Sequence, residues 1–85
     1  MIELPEILKP LKEKLLASSL EDIYSLIESY GIEVAEVVLP ERKEGMYFED
    51  KDNRVIFISK NISTARKRTA ATHELIHAVL HTSGS

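Results

Sequence analysis

The absence of cysteine is the feature that most constrains this chain of 85 residues, because it removes both disulfide bridges and thiolate metal ligands. A chain of this length forms one small domain, which without covalent cross-links depends on a single hydrophobic core. Hydrophobic residues make up 44% of the sequence and charged residues 29%, proportions typical of a folded globular protein. We therefore expect one domain over residues 1–85, in a reducing compartment such as the cytoplasm.

Charge and hydropathy argue against two classes of partner. The longest uncharged stretches, 55–59 and 75–85, are too short or too polar to span a bilayer, and no basic and then apolar leader opens the chain. The net charge of −3 argues against nucleic acid as the main partner. The basic run at 66–68 is typical of a solvated helix face, with a nucleic-acid-binding surface as the alternative. We expect no membrane and no nucleic-acid partner.

Hydrophobic residues at helical intervals predict two helical segments in the first third of the chain. The first covers residues 4–17, and the second runs from about Leu20 to Tyr30. Pro10 interrupts the first, so that either two short turns meet there or a helix starts at Pro10. Either Ser18 or Ser19 can cap the start of the second segment in a capping-box pattern. Gly31 stands where a helix commonly ends in a left-handed residue.

Three segments rich in β-branched and aromatic residues predict strands at 32–39, 46–49 and 54–59. The last two are expected to form a hairpin closed by residues 50–53. Both faces of the segment 54–59 are apolar, which favours a central position in the sheet. With a further helix predicted over residues 64–81, the pattern indicates an α+β domain with N-terminal helices, a three-stranded antiparallel sheet and a C-terminal helix.

The C-terminal helix, for which Ser63 is the predicted N-cap, contains a metal-binding pattern. Residues 73–77 read His-Glu-Leu-Ile-His. Four residues of helix turn through about 400°, so His73 and His77 lie one turn apart on one face, where both imidazoles can bind one Zn²⁺. Glu74 lies about 100° further round. It is expected to accept a proton from the water that the ion activates, rather than to bind the ion.

A catalytic zinc has three protein ligands and one open position, and this pattern supplies two of the three. His81 continues the series, but it lies about 12 Å from His73 along the helix axis, so a favourable interaction with the helix dipole explains it better. The carboxylates of Glu49, Asp50 and Asp52 could fold toward the site, although a solvated turn explains them better. The sequence therefore predicts an incomplete metal site.

Tyrosines offer one more candidate for chemistry. Tyr47 could donate a hydrogen bond to a developing oxyanion, although a strand tyrosine more often serves packing. Tyr24 and Tyr30 are predicted to lie on the second helix and to face the core of the domain.

The stretch from Gly31 to His81 resembles the ImmA/IrrE-type metallopeptidase family. The resemblance implies a zincin-like active-site helix, with zinc ligands at His73 and His77 and a general base at Glu74. It also implies a cytoplasmic zinc-dependent endopeptidase of bacteria, phages or mobile elements, which acts on a helix-turn-helix transcriptional repressor or in stress-response regulation. The matching segments are GMYFEDKDNRVIFIS at 45–59, ISTARKRTAAT at 62–72 and HELIHAVLH at 73–81.

Two departures from the family pattern bear on activity. Ile76 stands where the family usually has glycine, and the family's third zinc ligand is an acidic residue on a later helix, beyond residue 85. We therefore expect residues 1–85 to be the N-terminal part of a larger metallopeptidase domain and to be inactive alone. A homodimer through the surface left exposed is then expected. The alternative is a degenerate, non-catalytic domain that binds a regulator.

Overall fold

The structure is a computed structural model that describes residues 9–84, with the side chains of 11–12, 15–16 and 81–84 excepted. Its α+β class confirms the prediction, and the part of the first predicted helix before residue 9 lies outside the described residues. No helix in the described range combines the length and apolar character needed to cross a membrane. The elements in chain order are α1 (Lys9–Ala17), α2 (Leu20–Ser29), β1 (Glu33–Val37), β2 (Gly45–Asp50), β3 (Asn53–Ser59) and α3 (Thr64–Gly84).

The sheet has the strand order β1-β3-β2, so β3 is central, as its two apolar faces predicted. β2 and β3 form the predicted antiparallel hairpin, whereas β1 pairs with β3 in parallel. The predicted all-antiparallel sheet is therefore wrong: the sheet is mixed. The reason lies in the connection at 38–44, which passes the end of β3, where Lys60 N donates to Val37 O and Ser59 N donates to Glu44 O, each at 2.9 Å.

The two faces of the sheet differ in what covers them. The strand register aligns Val34, Ile56 and Tyr47 on the face that packs against α2 and α3. The opposite face carries Phe48, which is 51% exposed. The homodimer that was expected through exposed surface stays a prediction. The buried core beneath the helices consists of Ile23, Ile27, Ile32, Ile56, Ile58, Ala70, Ala71, Leu75 and Ala78.

Both helices that cover the sheet begin at the capping residues that the sequence indicates. Of the two alternatives for α2, Ser19 is the N-cap, because its side chain accepts a hydrogen bond from Asp22 N. Ser63 Oγ accepts from Arg66 N at 3.2 Å at the start of α3, which confirms the predicted cap. Gly31 follows α2 with a φ of +79°, as its predicted role at the helix end requires.

Polar contacts join α3 to the sheet. Lys67 Nζ lies 2.8 Å from Glu36 Oε1 on β1, and Tyr24 of α2 donates from its hydroxyl to Glu36 Oε2 at 2.9 Å. Arg66 pairs with Glu44, just before β2, at 2.6 Å. The interpretation of this basic run as a solvated helix face is therefore wrong for Lys67, whose side chain is only 16% exposed.

Candidate active site

His73 and His77 lie one turn apart on α3, and their rings converge. The two Nε2 atoms are 3.0 Å apart, and the ring centroids are 4.4 Å apart with the planes inclined at 74°. His73 is exposed and His77 is half-buried. Helical spacing alone brings these rings together, as the four-residue separation predicts, and their role as metal ligands stays a prediction.

The separation of the two ring nitrogens suits a shared metal ion. Two nitrogen ligands at 2.0–2.1 Å from a tetrahedral ion lie about 3.3 Å apart, close to the 3.0 Å between these Nε2 atoms. Without an ion, the same distance allows one Nε2–H to donate to the other ring, in a direction that the tautomers set. The pair of imidazoles therefore fits two positions of one metal centre.

The side chain of Glu74, a residue of α3, lies against the start of β2. The residue is half-buried, and its side chain runs past Gly45. A β-carbon placed on Gly45 would lie 3.1 Å from Glu74 Cγ and 3.5 Å from Glu74 Oε2. The carboxylate therefore lies beside the first residue of an edge strand, next in sequence to one of the converging histidines.

The other two residues of the His-Glu-Leu-Ile-His segment fix the helix in the core. Leu75 is fully buried and Ile76 is 5% exposed. Ile76, which stands where the family usually has glycine, thus packs into the interior, on a different face of α3 from the exposed His73.

Among the described side chains, the carboxylates of Glu49, Asp50 and Asp52 do not join the two histidines. Within residues 9–84, where side chains are described, no group of three or more His, Asp or Glu side chains is placed to hold a metal ion. Glu49 lies 3.5 Å from the Tyr47 hydroxyl, and Asp50 and Asp52 are exposed at the hairpin turn. The side chain of His81 lies outside the described residues.

Tyr24 and Tyr47 pack against the core, and Tyr30 is exposed. The Tyr47 hydroxyl accepts a hydrogen bond from Arg54 Nε at 3.1 Å, and its ring packs against the core. Tyr24 also packs against the core, as predicted. Tyr30 is 43% exposed, so its predicted core position is wrong; it follows the last helical residue of α2, where the helical face no longer applies.

Sequence reasoning did not identify Gly45, whose importance lies in its contact with Glu74. One signal was available, because glycine at the first position of an otherwise β-branched and aromatic hairpin often marks a close approach of another group. The contact itself joins two residues that are 29 positions apart in the sequence, and no local pattern reports such a contact.

The structure places the His-Glu-x-x-His segment, a pattern typical of metallopeptidases, on a long helix that packs on a small mixed sheet. The IrrE N-terminal-like domain family, peptidase family M78, matches residues 27–85, and the chain belongs to this family. The match extends from α2 through all three strands and α3, and it confirms the resemblance to ImmA/IrrE-type proteins. Comparisons with curated proteins and with solved structures give no match.

Proposed function

We propose that this domain hydrolyses peptide bonds as part of a zinc-dependent endopeptidase. The observation that carries the proposal is the convergence of the His73 and His77 Nε2 atoms, with Glu74 next in sequence to the first of them. Membership of a peptidase family supports the same reaction class. Imidazole ligands suit zinc among several divalent ions, and the chain has no thiolate that would favour another choice.

In this proposal the two histidines bind the metal ion and Glu74 transfers the proton. His73 and His77 would hold the ion through their Nε2 atoms. Zinc, when bound, polarises the scissile carbonyl and makes a water molecule more acidic. The Glu74 carboxylate takes the proton from the attacking water and returns it to the leaving amine, so that it acts first as a base and then as an acid.

The substrate we propose is an extended segment of a protein or peptide. In the sheet that the described residues form, β2 is an edge strand, and its first residue contacts Glu74. Extended peptides commonly add to such an edge through backbone hydrogen bonds. A peptide on β2 would run beside Glu74, whereas β1 lies on the far side of β3. The family resemblance implies a helix-turn-helix repressor as the substrate protein.

A third ligand is needed to complete the centre that we propose. Two protein ligands give low affinity and leave the ion too open for a catalytic site. The family resemblance places this ligand on an acidic residue of a following helix. For residues 1–85 alone we expect weak zinc binding and no turnover.

The test compares zinc content and cleavage of fluorescein-labelled casein by the natural protein that contains this domain. Glu74→Gln should retain zinc and lose about 10²- to 10⁴-fold in turnover, because it removes the general base alone. His73→Ala and His77→Ala should each lose the zinc. Glu28→Gln, an exposed glutamate on α2, is the matched control. Cleavage by Glu74→Gln at the unaltered rate would remove the proposed base from the reaction.

A second candidate function is a non-catalytic domain that binds a regulator. It is favoured by the finding that, among the side chains that the structure describes, no group of three or more His, Asp or Glu is placed to hold a metal ion. Calorimetric titration of the natural protein with zinc separates the two functions. Binding that depends on both His73 and His77 supports the peptidase, and the absence of binding supports the interaction domain.

A further inference from the structure

We propose that Gly45 is a positioning residue for Glu74: the absence of a side chain at Gly45 leaves room for the Glu74 side chain in its place against the start of β2. This inference rests on the proposed function in one respect, since it takes Glu74 to be the general base. The contact itself is a property of the structure: β2 begins where the methylene groups and one carboxylate oxygen of Glu74 pass.

The space at Gly45 is too small for a methyl group while Glu74 keeps its position. A β-carbon there would lie 3.1 Å from Glu74 Cγ, which is closer than ordinary van der Waals contact, and 3.4 Å from Ala70 Cβ. Ala70 is part of the buried core and belongs to the body of α3. Of the two neighbours, the Glu74 side chain is the one free to move.

The strand cannot easily withdraw from the helix to make room. Glu44, the residue before Gly45, accepts a backbone hydrogen bond from Ser59 N at 2.9 Å, and its side chain pairs with Arg66 of α3 at 2.6 Å. Gly45 itself is in register with the buried Ile58 of β3. The start of β2 is thus fixed to both the sheet and the helix, so an added methyl group would displace the carboxylate.

The backbone does not explain the glycine. At Gly31 the backbone has a φ of +79°, a conformation that favours glycine over residues with a side chain. Gly45, in contrast, does not lie in the left-handed region and is paired as an ordinary strand residue. Alanine at Gly45 fits the backbone and reduces the freedom of the unfolded chain. A purely structural role therefore predicts that Gly45→Ala is harmless, and the positioning role predicts a specific defect at Glu74.

The first experiment uses NMR on the 85-residue chain and does not depend on activity. In the unaltered chain we expect nuclear Overhauser contacts between the Gly45 α-protons and the Glu74 γ-protons. In Gly45→Ala we expect the side-chain couplings of Glu74 to report a different rotamer, while the melting temperature is unchanged or raised. Ala35→Val, which enlarges a residue on the opposite face of the sheet, is the control and should leave the Glu74 couplings unaltered.

The second experiment measures cleavage of fluorescein-labelled casein by the natural protein that contains this domain. Gly45→Ala should lower kcat by about 10-fold, less than the ~10²-fold cost of misplacing a reacting group by roughly 1 Å, because the 3.1 Å contact displaces Glu74 by less than that, with KM and zinc content unchanged. Added to Glu74→Gln, the same substitution should cause no further loss, because its effect passes through Glu74.

The outcomes separate the two proposals. An unaltered Glu74 rotamer in Gly45→Ala, or a moved rotamer with full kcat, overturns the role of Gly45 even if Glu74→Gln is inactive. Equal cleavage by the unaltered protein and by Glu74→Gln overturns the proposed function, and the NMR comparison then decides alone whether Gly45 holds the Glu74 side chain in place.

Discussion

Thr72, directly before the first histidine of the site, buries a hydroxyl without satisfying it. The residue is 1% exposed, and its Oγ1 has no hydrogen-bond partner within the part of the chain that the structure describes. A buried polar group without a partner costs about 1–3 kcal/mol of stability. Thr72→Val replaces the hydroxyl by a methyl group of similar shape and should raise the free energy of unfolding by about 1 kcal/mol. Urea unfolding at neutral pH measures this change.

Thr69 provides the matched control for this substitution, because it lies on the same helix and its hydroxyl is exposed. Its Oγ1 donates to Ala65 O at 3.2 Å. Thr69→Val should therefore change the free energy of unfolding by less than about 0.5 kcal/mol in either direction. A loss of stability in Thr72→Val comparable to that of a core cavity would show that the hydroxyl has a partner after all.

At the scale of elements, local patterns in the sequence predict those features that depend on residues within a single helix or hairpin. Caps, turns and the alternation of β2 and β3 are set by neighbouring residues, so Ser63 and the hairpin follow from the sequence, and the cap of α2 is narrowed to Ser18 or Ser19. The two histidines and Glu74 follow for the same reason, since four-residue spacing fixes their relation on any helix.

Contacts between distant elements could not be predicted in this way. The parallel pairing of β1 with β3 depends on how residues 38–44 cross the end of the sheet, and the residues within β1 do not report that path. The contact of Gly45 with Glu74 likewise appears only when β2 lies against α3. The candidate residues of the site were therefore visible in the sequence, and the contact of Glu74 with the start of β2 was not.

The N-cap of α3 offers a test of how the helix that bears the site is stabilised. Ser63→Ala removes the oxygen that accepts from Arg66 N, so it should lower the free energy of unfolding by about 1 kcal/mol. Ser25, exposed in the middle of α2, is the control: Ser25→Ala should be neutral or slightly stabilising, since alanine is the better helix former. Equal effects of the two substitutions in urea unfolding would contradict a capping role for Ser63.

At the scale of the whole molecule, Glu36 connects three elements. From β1 it accepts hydrogen bonds from Lys67 on α3 and from Tyr24 on α2. The hydrogen bond from Lys67 lowers the pKa of Glu36 below its ordinary value of 4.5. Burial, together with the hydrogen bond to Glu36, raises the pKa of Tyr24 well above its usual range, so its hydroxyl stays a donor over the whole physiological range.

This connection predicts a pH dependence of folding. Because the pKa of Glu36 is lower in the folded than in the unfolded chain, its contribution to stability is complete above pH 4.5 and is lost as the pH falls through the folded value. Glu36→Gln should therefore lower the free energy of unfolding by about 0.5 kcal/mol at pH 7, a small effect because the ion pair is partly exposed. The difference should disappear in acid. Urea midpoints at pH 7 and pH 3 measure both values. Glu33→Gln alters an exposed residue of β1 and is the control: its urea midpoint should equal that of the unaltered chain at both pH values. If Glu36→Gln lowered the free energy of unfolding equally at pH 7 and pH 3, the side chain would contribute by packing and not by charge.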